Sequence, residues 1–381
     1  MDATVRILPS IKSLDQSARD WLDGASDNPF VSYAFLSALE DSGSATPDTG
    51  WGPQHLMLMD SADQPLAFMP LYLKGHSQGE YVFDHSWANA WEHAGGSYYP
   101  KLLSSIPFTP ATGPRIVGDA QHHQLILDAV AKITADNGLS SAHITFAEPD
   151  FAKSSASDDW MLRTDQQFHW INRDYKTFSD FLDALSSRKR KQIRKERRTA
   201  AGSGLTIKTL TGDAINNTHW DAFYTFYTDT GERKWGQPYL TRTFFSMIGE
   251  RMPDQIVLML AERDGVPVAG ALNFISNDAI YGRHWGCTEH HDCLHFELCY
   301  YQAIDWAIAN GLSTVEAGAQ GPHKLARGYE PVTTYSLHHI PNESFRGAVK
   351  QFLKTERKHV EVQGEYLAEH LPFKREDTQS Q

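Results

Sequence analysis

Two segments of this chain, one in each half, follow the same pattern of strand, acidic turn and strand. The first is HLMLMDSADQPLAFMPLYL and the second is IVLMLAERDGVPVAGALNF. The spacing from acid to proline is the same in both, from Asp60 to Pro65 and from Glu262 to Pro267. A period of about two hundred residues is too long for a solenoid, whose repeats span about 20–50 residues. The sequence therefore predicts two lobes built on one plan.

The match between the halves continues beyond these hairpins. A third strand is predicted in each half, EYVFDHSW ending at Trp87 and AIYGRHW ending at Trp285. Further on, a helix that ends in Asn-Gly precedes another strand, at Gly138 in the first half and at Gly311 in the second. Glycine directly after a helix is typical of a left-handed helix terminus. Four elements in the same order make chance similarity between two hairpins the weaker explanation.

The order of elements predicts the fold class. Each half contains a helix, three meandering strands, a helix and a further strand, which indicates a mixed α/β (α+β) fold with mostly antiparallel sheets flanked by helices. We place the lobe boundary in front of a basic segment, so that residues 1–175 form the first lobe and residues 176–381 the second. A length of 381 residues agrees with two domains.

Composition excludes several classes of protein. With 41% apolar and 22% charged residues the chain is typical of globular proteins. Its first residues, MDATVRILPSIKSLDQ, lack the basic leader and apolar stretch of a signal peptide, and no apolar run reaches the length of a membrane span. Three cysteines favour a reducing compartment over a disulfide framework. We expect a cytoplasmic protein without membrane insertion, and the net charge of −12 argues against DNA binding.

One segment is strongly basic in this acidic chain. From Arg188 to Arg198 the sequence RKRKQIRKERR carries eight basic residues and one acid. In a helix, Ile193 is its one apolar anchor, and like charges four positions apart, such as Arg190 and Arg194, repel each other. Such a helix is either a solvated face or a site for an anion, and the repeated repulsion favours phosphate binding. The candidate anion contacts are Arg188, Arg190, Lys191, Arg194 and Lys195.

Long blocks of the sequence resemble a known family. The blocks are YVFDHSWANAWEHAGGSYYPKLLSSIPFTPATGPR, SSRKRKQIRKERR, DTGERKWGQPYLT, HWGCTEHHDCLHFELCYYQAIDWAI and EAGAQGPHKLARGYEP. They are similar to the FemAB-like proteins of Gram-negative bacteria, which are labelled as peptidoglycan-biosynthesis proteins and belong to the acyl-CoA N-acyltransferase (GNAT) superfamily. The resemblance runs from Asn28 to Phe373. It implies two tandem GNAT-like lobes and transfer of an acyl group onto an amine, with aminoacyl-tRNA as donor in the best-understood relatives.

The sequence departs from the superfamily at the place where acetyl-CoA would bind. The usual pyrophosphate loop, Arg/Gln-x-x-Gly-x-Gly/Ala before a helix, is absent, and CTEHHDCLHF stands in the corresponding position. That segment lacks the glycines whose backbone N–H groups hold a pyrophosphate. No motif therefore supports acetyl-CoA. No cofactor is indicated, and aminoacyl-tRNA and acyl-CoA are the candidate co-substrates.

The segment EAGAQGPHKLARGYEPV resembles the strand, loop and helix that close a GNAT active site. In that superfamily a tyrosine four residues before a glycine protonates the leaving thiolate, and Lys324 occupies this position before Gly328. A lysine can hold an anion, or exchange a proton when burial lowers its pKa. Lys324 is the strongest single candidate, with His323 and Arg327 as neighbouring anion contacts. The alternative is an exposed basic turn, against which the small Ala-Gly-Ala lead-in argues.

Two carboxylates are candidates for a general base. Glu316 ends the apolar strand STVEA, and ligands bind at strand carboxyl ends in open α/β sheets. Glu297 lies on an apolar helical stripe. Either carboxylate can deprotonate an acceptor amine, or can simply form a salt bridge with Arg283 or Arg327. His284, at a strand end, is the candidate for stabilising an oxyanion beside Lys324.

Further residues are candidate substrate contacts, and no metal site is expected. The cysteine spacing C-x5-C-x5-C among the histidines of residues 284–299 is not a zinc pattern. The tryptophans can equally well serve only to pack the lobes. The candidate substrate contacts are Asp84, Trp87, Tyr98, Tyr99, Lys234, Trp235, Trp285 and Gln320.

These observations predict an N-acyltransferase that moves an acyl or aminoacyl group from aminoacyl-tRNA or an acyl-CoA-type donor onto an amine of a small molecule or peptide. The donor phosphates would lie on the basic helix and its carbonyl near the backbone of residues 317–321. The alternative is a non-catalytic, degenerate GNAT pair that binds a nucleotide, tRNA or peptide. Product formation distinguishes the two.

Overall fold

The structure, a computed structural model, describes residues 3–234, 238–318 and 321–374, with only the backbone described for 231–234 and 322. The α-helices are α1 (Gln16–Ala25), α2 (Tyr33–Asp41), α3 (His85–His93), α4 (His123–Asp136), α5 (Pro149–Ser155), α6 (Phe178–Ala184), α7 (Ser187–Ala201), α8 (Asn217–Lys234), α9 (Arg242–Arg251), α10 (Leu294–Phe296), α11 (Gln302–Ala309) and α12 (Glu343–Glu369). A π-helical turn covers Glu297–Tyr301 and a 3-10 helix covers Pro322–Arg327.

Strands fill most of the chain between these helices. They are β1 (Thr4–Leu8), β2 (Trp51–Pro53), β3 (His55–Met59), β4 (Pro65–Met69), β5 (Tyr72–Lys74), β6 (Lys101–Ser104), β7 (Val117–Gly118), β8 (Ala142–Ala147), β9 (Met161–Ile171), β10 (Thr206–Thr211), β11 (Ile256–Arg263), β12 (Val266–Ile275), β13 (Ala279–Cys287), β14 (Thr314–Glu316) and β15 (Glu330–His339).

The chain forms two compact units, and each draws on more than one stretch of sequence. The first comprises Met1–Asp165, Tyr239–Arg251 and Thr333–Val362, and the second comprises Gln166–Pro238, Met252–Val332 and Gln363–Gln381. β9, β15 and α12 each begin in one unit and end in the other. The two lobes inferred from the sequence repeat, residues 1–175 and 176–381, are a different division of the chain from these units. That division stays a prediction.

The first unit has two groups of strands. One is an antiparallel sheet in the order β1-β3-β4-β7. The other runs β15-β8-β6-β5-β2, in which β6 and β8 are parallel and the other neighbours are antiparallel. Leu56, Met69 and Ile144 from the strands pack against Ile126 of α4 to form its core.

The second unit contains one run of six strands in the order β10-β11-β12-β13-β14-β9. β13 and β14 are parallel, and the other neighbouring pairs are antiparallel. Its core joins Ile280 and Val315 of the sheet to Phe181 of α6, Ile193 of α7 and Ile304 of α11. The predicted mixed α/β fold, with mostly antiparallel sheets flanked by helices, is confirmed.

The two hairpins that resemble each other in sequence share a detail of register. In β3–β4 the pairs Leu58–Ala67 and Met59–Pro65 leave out the residue after the proline. In β11–β12 the pairs Ala261–Ala269 and Glu262–Pro267 leave out Val268, again the residue after the proline. Proline cannot donate to the strand ladder, so a bulge beside it is expected. The glycines predicted at helix ends adopt left-handed φ values, +62° at Gly138 and +69° at Gly311.

The prediction of a third strand ending at Trp87 is wrong. Asp84 precedes α3, and Trp87 lies within that helix. Trp87 and Trp91 are four residues apart, so in a helix both rings lie on one face. They contact α12, Trp87 edge-on to Phe352 and Trp91 stacked on Phe345. This tertiary packing determines the local structure despite the strand-like alternation of the sequence.

The basic segment is helical, as the sequence predicts, and forms α7. Ser186 takes the N-cap position without a side-chain capping bond. Ile193 and Ala200 are its buried residues, seven positions apart on one face. Neither α7 nor any other helix in the described parts of the chain is both long and apolar enough to cross a membrane.

At Gly286 the backbone of β13 lies close to the backbone of α8. A Cβ added there would lie 2.1 Å from the backbone oxygen of Phe226. We expect Gly286→Ala to lower the free energy of unfolding by about 2 kcal/mol or more, because a backbone cannot yield as a side chain does. The control is Gly282→Ala in the same strand, where the nearest atoms to a Cβ are at 3.4 Å. Urea unfolding measures both, and equal midpoints for the two variants would contradict this packing.

Candidate functional site

The strands β13 and β14 run side by side briefly and then separate. Their parallel register begins at Ala279–Thr314 and ends at Tyr281–Glu316. β13 continues to Cys287, whereas the chain after β14 bends at Gly318, where φ is +75°. Glycine adopts this left-handed conformation without the steric cost that a side chain adds. The separation opens a gap in the second unit at the carboxyl end of β14.

A bulge in β13 lies beside this gap. Leu272 pairs with His284 and Asn273 pairs with Gly282, so Arg283 is an extra residue in the ladder with β12. A bulge bends its strand and re-aims the neighbouring side chains. A cavity of about 100 Å³ opens here. Its lining residues are Ala271, Leu272, Asn273, Gly282, Arg283, His284, Trp285, His295, Cys299, Tyr300 and Ala317.

The chemistry of the cavity is polar and aromatic, with a positive bias. Among its described lining residues Arg283 is a cation, and none is an aspartate or glutamate. Desolvation and the charge of Arg283 together lower the pKa of His284 to about 3, so this imidazole is neutral at physiological pH. His284 lies edge-on to Tyr227, with the ring centroids 5.1 Å apart.

Lys324 is buried next to the cavity. It lies in the 3-10 helix, 1% exposed, and its Nζ donates to the Gly318 carbonyl at 2.8 Å. Burial lowers its pKa to about 8, and Arg283, which lines the cavity, lowers it as well. An ammonium with a pKa near neutrality can both stabilise negative charge and exchange a proton.

Glu316 ends β14 and is buried at the point where the strands separate. It pairs in register with His169 of β9, whose Nε2 lies 3.9 Å from a Glu316 carboxylate oxygen. Burial lowers the pKa of His169 to about 4, and the nearby Lys324 contributes in the same direction. His169 is therefore neutral at physiological pH.

Glu297, the other predicted general base, is held by the basic helix. It lies in the π-helical turn, and Arg197 of α7 donates to both of its carboxylate oxygens, the shortest bond being 2.9 Å. Gln302 donates to one of the same oxygens at 2.8 Å, and Arg197 also pairs with Asp305 at 2.7 Å. This arrangement attaches α7 to the turn that carries two of the cavity residues.

Glu196 makes a second attachment on the same face of α7. It accepts a hydrogen bond from the Tyr301 hydroxyl and pairs with Arg327 at 3.1 Å. The Arg327 guanidinium lies 3.4 Å from the centre of the Phe296 ring. Arg327, a predicted anion contact, is thus buried and paired within the protein.

The opposite face of α7 is exposed and basic. Arg190 pairs with Asp183 at 2.8 Å. The exposed cations recur at helical spacing, so they form one stripe on the side away from Ile193. No described carboxylate forms an ion pair with them. They are Arg188, Lys191, Arg194, Lys195 and Arg198.

The other predicted contacts of the second unit lie close to the cavity or outside the description. His323 is exposed, and its Nε2 lies 2.9 Å from the Tyr300 hydroxyl. Trp285 lines the cavity. Trp235 and Gln320 lie outside the described residues, as does the side chain of Lys234. Among the residues that are described, no three His, Cys, Asp or Glu side chains are placed to hold a metal ion.

Three predicted substrate contacts of the first unit, Asp84, Tyr98 and Tyr99, surround a buried lysine. Lys101 Nζ donates to Asp84, which also accepts from the Tyr98 hydroxyl at 2.7 Å. Ser77 links Lys101 to the Tyr99 hydroxyl, with bonds of 2.8 Å to each. Their role as substrate contacts stays a prediction, because in this structure their polar groups bind one another.

Comparison with known proteins shows which family the chain belongs to. A family model for FemAB-like proteins, described as acting in peptidoglycan biosynthesis and recognition, matches residues 10–375. The chain belongs to the FemAB-like family. The resemblance found in the sequence is thereby confirmed, as is the expectation of an acyltransferase. No curated protein matches the chain.

Solved structures with the fold of this FemAB-like chain share little sequence with it. FemX matches with a TM-score of 0.53 at 13% identity, over 92% of this chain and 100% of its own. L-PGS from Bacillus licheniformis matches with a TM-score of 0.51 at 10% identity, over 89% and 96%. A protein of unknown function from Bacteroides thetaiotaomicron matches with a TM-score of 0.51 at 11% identity, over 88% and 100%. These likenesses concern the fold.

Sequence reasoning missed several groups of this FemAB-like site. Asn273 is a polar residue in the middle of an apolar strand, a signal that could have been noticed. His169 and the cavity-lining role of Arg283 depend on strand pairings distant in sequence. Arg197 stood in the basic segment without any sign that it faces inward.

The buried Lys324 predicts a pH-dependent stability. Because its pKa is about 8 in the folded protein and 10.5 ordinarily, the unfolded chain binds more protons between these values. The free energy of unfolding should therefore rise across this window, by about 3 kcal/mol from this group. Urea unfolding of the wild type and of Lys324→Met near pH 8 and pH 10 measures the difference. Parallel pH dependences for the two proteins would contradict it.

Proposed function

We propose that this FemAB-like protein transfers an acyl or aminoacyl group from a phosphate-bearing donor to an amine, with the chemistry in the second unit. The observation that carries the proposal is Lys324. It is a buried ammonium beside a cavity, at the point where two parallel strands separate. Burying a charge without a carboxylate partner is costly, so such a group is typical of a site that acts on a ligand.

The proposed reaction is direct transfer. The amine nitrogen attacks the donor carbonyl carbon, a carbon–nitrogen bond forms, and the ester bond to tRNA or the thioester bond to coenzyme A breaks. The amine loses one proton and the leaving oxygen or sulfur gains one, so the reaction needs no redox partner. Lys324 stabilises the charge that develops on the carbonyl oxygen or on the leaving group. His284, neutral and at the cavity, is the second candidate for this stabilisation.

Glu316 is the proposed proton acceptor. It lies at the carboxyl end of β14, and its nearest described histidine is neutral. Glu297 is the second candidate, and its oxygens accept hydrogen bonds from Arg197 and Gln302. A carboxylate used for hydrogen bonds within the protein must give up one of them before it can accept a proton.

The exposed stripe of α7 is the proposed binding surface for the donor phosphates. It extends over the eleven residues from Arg188 to Arg198, about 15 Å of helix. Both candidate donors, aminoacyl-tRNA and acyl-CoA, carry phosphates, and cations without an ion partner bind them without first breaking a salt bridge. His323 is exposed nearer the cavity and is a candidate contact for the same donor. We expect the protein to act in the cytoplasm, where these donors occur.

The competing function is a non-catalytic binding module. It also accounts for the basic stripe, and it predicts anion binding without product. The family's description makes peptidoglycan precursors the first acceptors to offer, followed by small amines and peptides.

A mass-shift assay tests the transfer. The protein is incubated with a charged tRNA pool or an acyl-CoA mixture and with candidate amines, and new acylated products are detected. We expect Lys324→Ala to lower the rate about 100-fold or more, because it removes charge stabilisation in the transition state. Lys132→Ala, an exposed lysine of the first unit, is the control. Full activity in Lys324→Ala would remove its central role, and the absence of product with every donor would favour the binding module.

The stripe has its own test. Lys191→Ala and Lys195→Ala should each weaken donor binding several-fold at low salt, and each should lower the slope of log affinity against log salt by about one unit. Lys132→Ala should change neither. Fluorescence anisotropy with labelled tRNA, and competition by coenzyme A, measure both quantities. Equal salt slopes in all variants would show that α7 is only a solvated face.

A further inference from the structure

Asn273 is an asparagine in the middle of the apolar strand β12, and it is 1% exposed. Its Nδ2 donates to the carbonyls of Val257 at 3.2 Å and Ala271 at 3.3 Å. Both partners are acceptors, so the orientation of the amide is determined by its hydrogen bonds. The Oδ1 atom must then face the other way.

The Oδ1 atom has no hydrogen-bond partner among the described residues. Asn273 and Gly282 pair across the bulge, and both line the cavity. A Cβ at Gly282 would lie 3.4 Å from this oxygen, so the glycine leaves the space beside Oδ1 open. Buried polar atoms are nearly always paired, and an open acceptor in a cavity indicates a ligand that carries a donor.

The charges around the cavity restrict that donor. Lys324 is buried beside the cavity, and its ammonium is close enough to Arg283 of the lining for the two cations to act on each other. A second ammonium in this space would be repelled by the Lys324 ammonium. A neutral amine is not repelled, and it still offers N–H groups to an amide oxygen.

We propose that the cavity between β13 and β14 binds a neutral primary amine, and that Asn273 Oδ1 accepts one of its N–H groups. The role of this amine in a reaction rests on the proposed function. A primary amine that donates to Asn273 keeps its lone pair, so the hydrogen bond can aim that lone pair at the donor carbonyl. Asn273 is thus a positioning residue, and the missing side chain at Gly282 leaves the space in which the amine contacts it.

Small amides of amino acids are suitable probes. Alaninamide carries a primary amine, and its N,N-dimethylamino analogue has no N–H on that nitrogen when neutral. Binding to the full-length protein is measured by calorimetry and saturation-transfer NMR, above the pKa of the probe amines. We expect alaninamide to bind the wild type and the dimethyl analogue to bind at least about tenfold more weakly, the effect of one lost hydrogen bond.

Two variants remove the interaction in different ways. Gly282→Ala places a methyl group beside Oδ1 without strain, and Asn273→Leu removes the acceptor. Both should weaken alaninamide about tenfold. Asn310→Leu, at an exposed asparagine of the same unit, should leave binding unchanged. No binding to the wild type, equal binding in a correctly folded Gly282→Ala, or equal affinity for the dimethyl analogue would each overturn the proposal.

The amine can be that of the acceptor or the α-amine of an aminoacyl donor, and transfer assays separate these sources. If Gly282→Ala slows transfer from both free and N-acetylated aminoacyl-tRNA, the bound amine is that of the acceptor. If it slows transfer only from the free form, the bound amine is the donor's. Probe binding without any transfer refutes the proposed function alone. Transfer that is unaffected by Gly282→Ala refutes this inference alone.

Discussion

In the second unit the hydrogen-bonded ladder between β13 and β14 ends after Tyr281 and Glu316. The candidate catalytic and binding side chains lie around that end. A continuous ladder would close the space between the strands with backbone hydrogen bonds. The bend at Gly318 and the bulge at Arg283 prevent this on the two sides of β13. The result is a small cavity whose polar lining cannot be satisfied by the sheet itself.

The basic helix is positioned by its inward charges. Arg197 with Glu297, and Glu196 with Arg327, are partly or fully buried pairs, and removing one member would leave the other uncompensated. These pairs orient α7 so that its remaining cations face solvent. The same turn that receives Arg197 carries Cys299 and Tyr300 into the cavity lining. Charge pairing thus determines both how the stripe is presented and how the cavity is lined.

The first unit shows a different use of buried charge. Lys101 is fully buried, and three oxygens accept from its ammonium, those of Ser77, Glu80 and Asp84. Burial raises the pKa of Glu80 to about 7, against the opposing effect of Lys101. Lys101 is thus matched by carboxylates, in contrast to Lys324, which donates to a backbone carbonyl. That contrast is why the proposed chemistry lies in the second unit.

The sequence by itself determined the elements that follow from local patterns. It also determined the family, which was identified from long motifs. The paired hairpins, the glycine helix ends and the helical nature of α7 could all be predicted, because each follows from residues a few positions apart. Trp87 was misassigned because packing on α12 overrode the local alternation. Only the tertiary structure turned Arg197 inward and opened the Oδ1 atom of Asn273 beside Gly282. Strand register and bulges bring together residues distant in sequence, and no local pattern encodes which backbone groups are left unpaired.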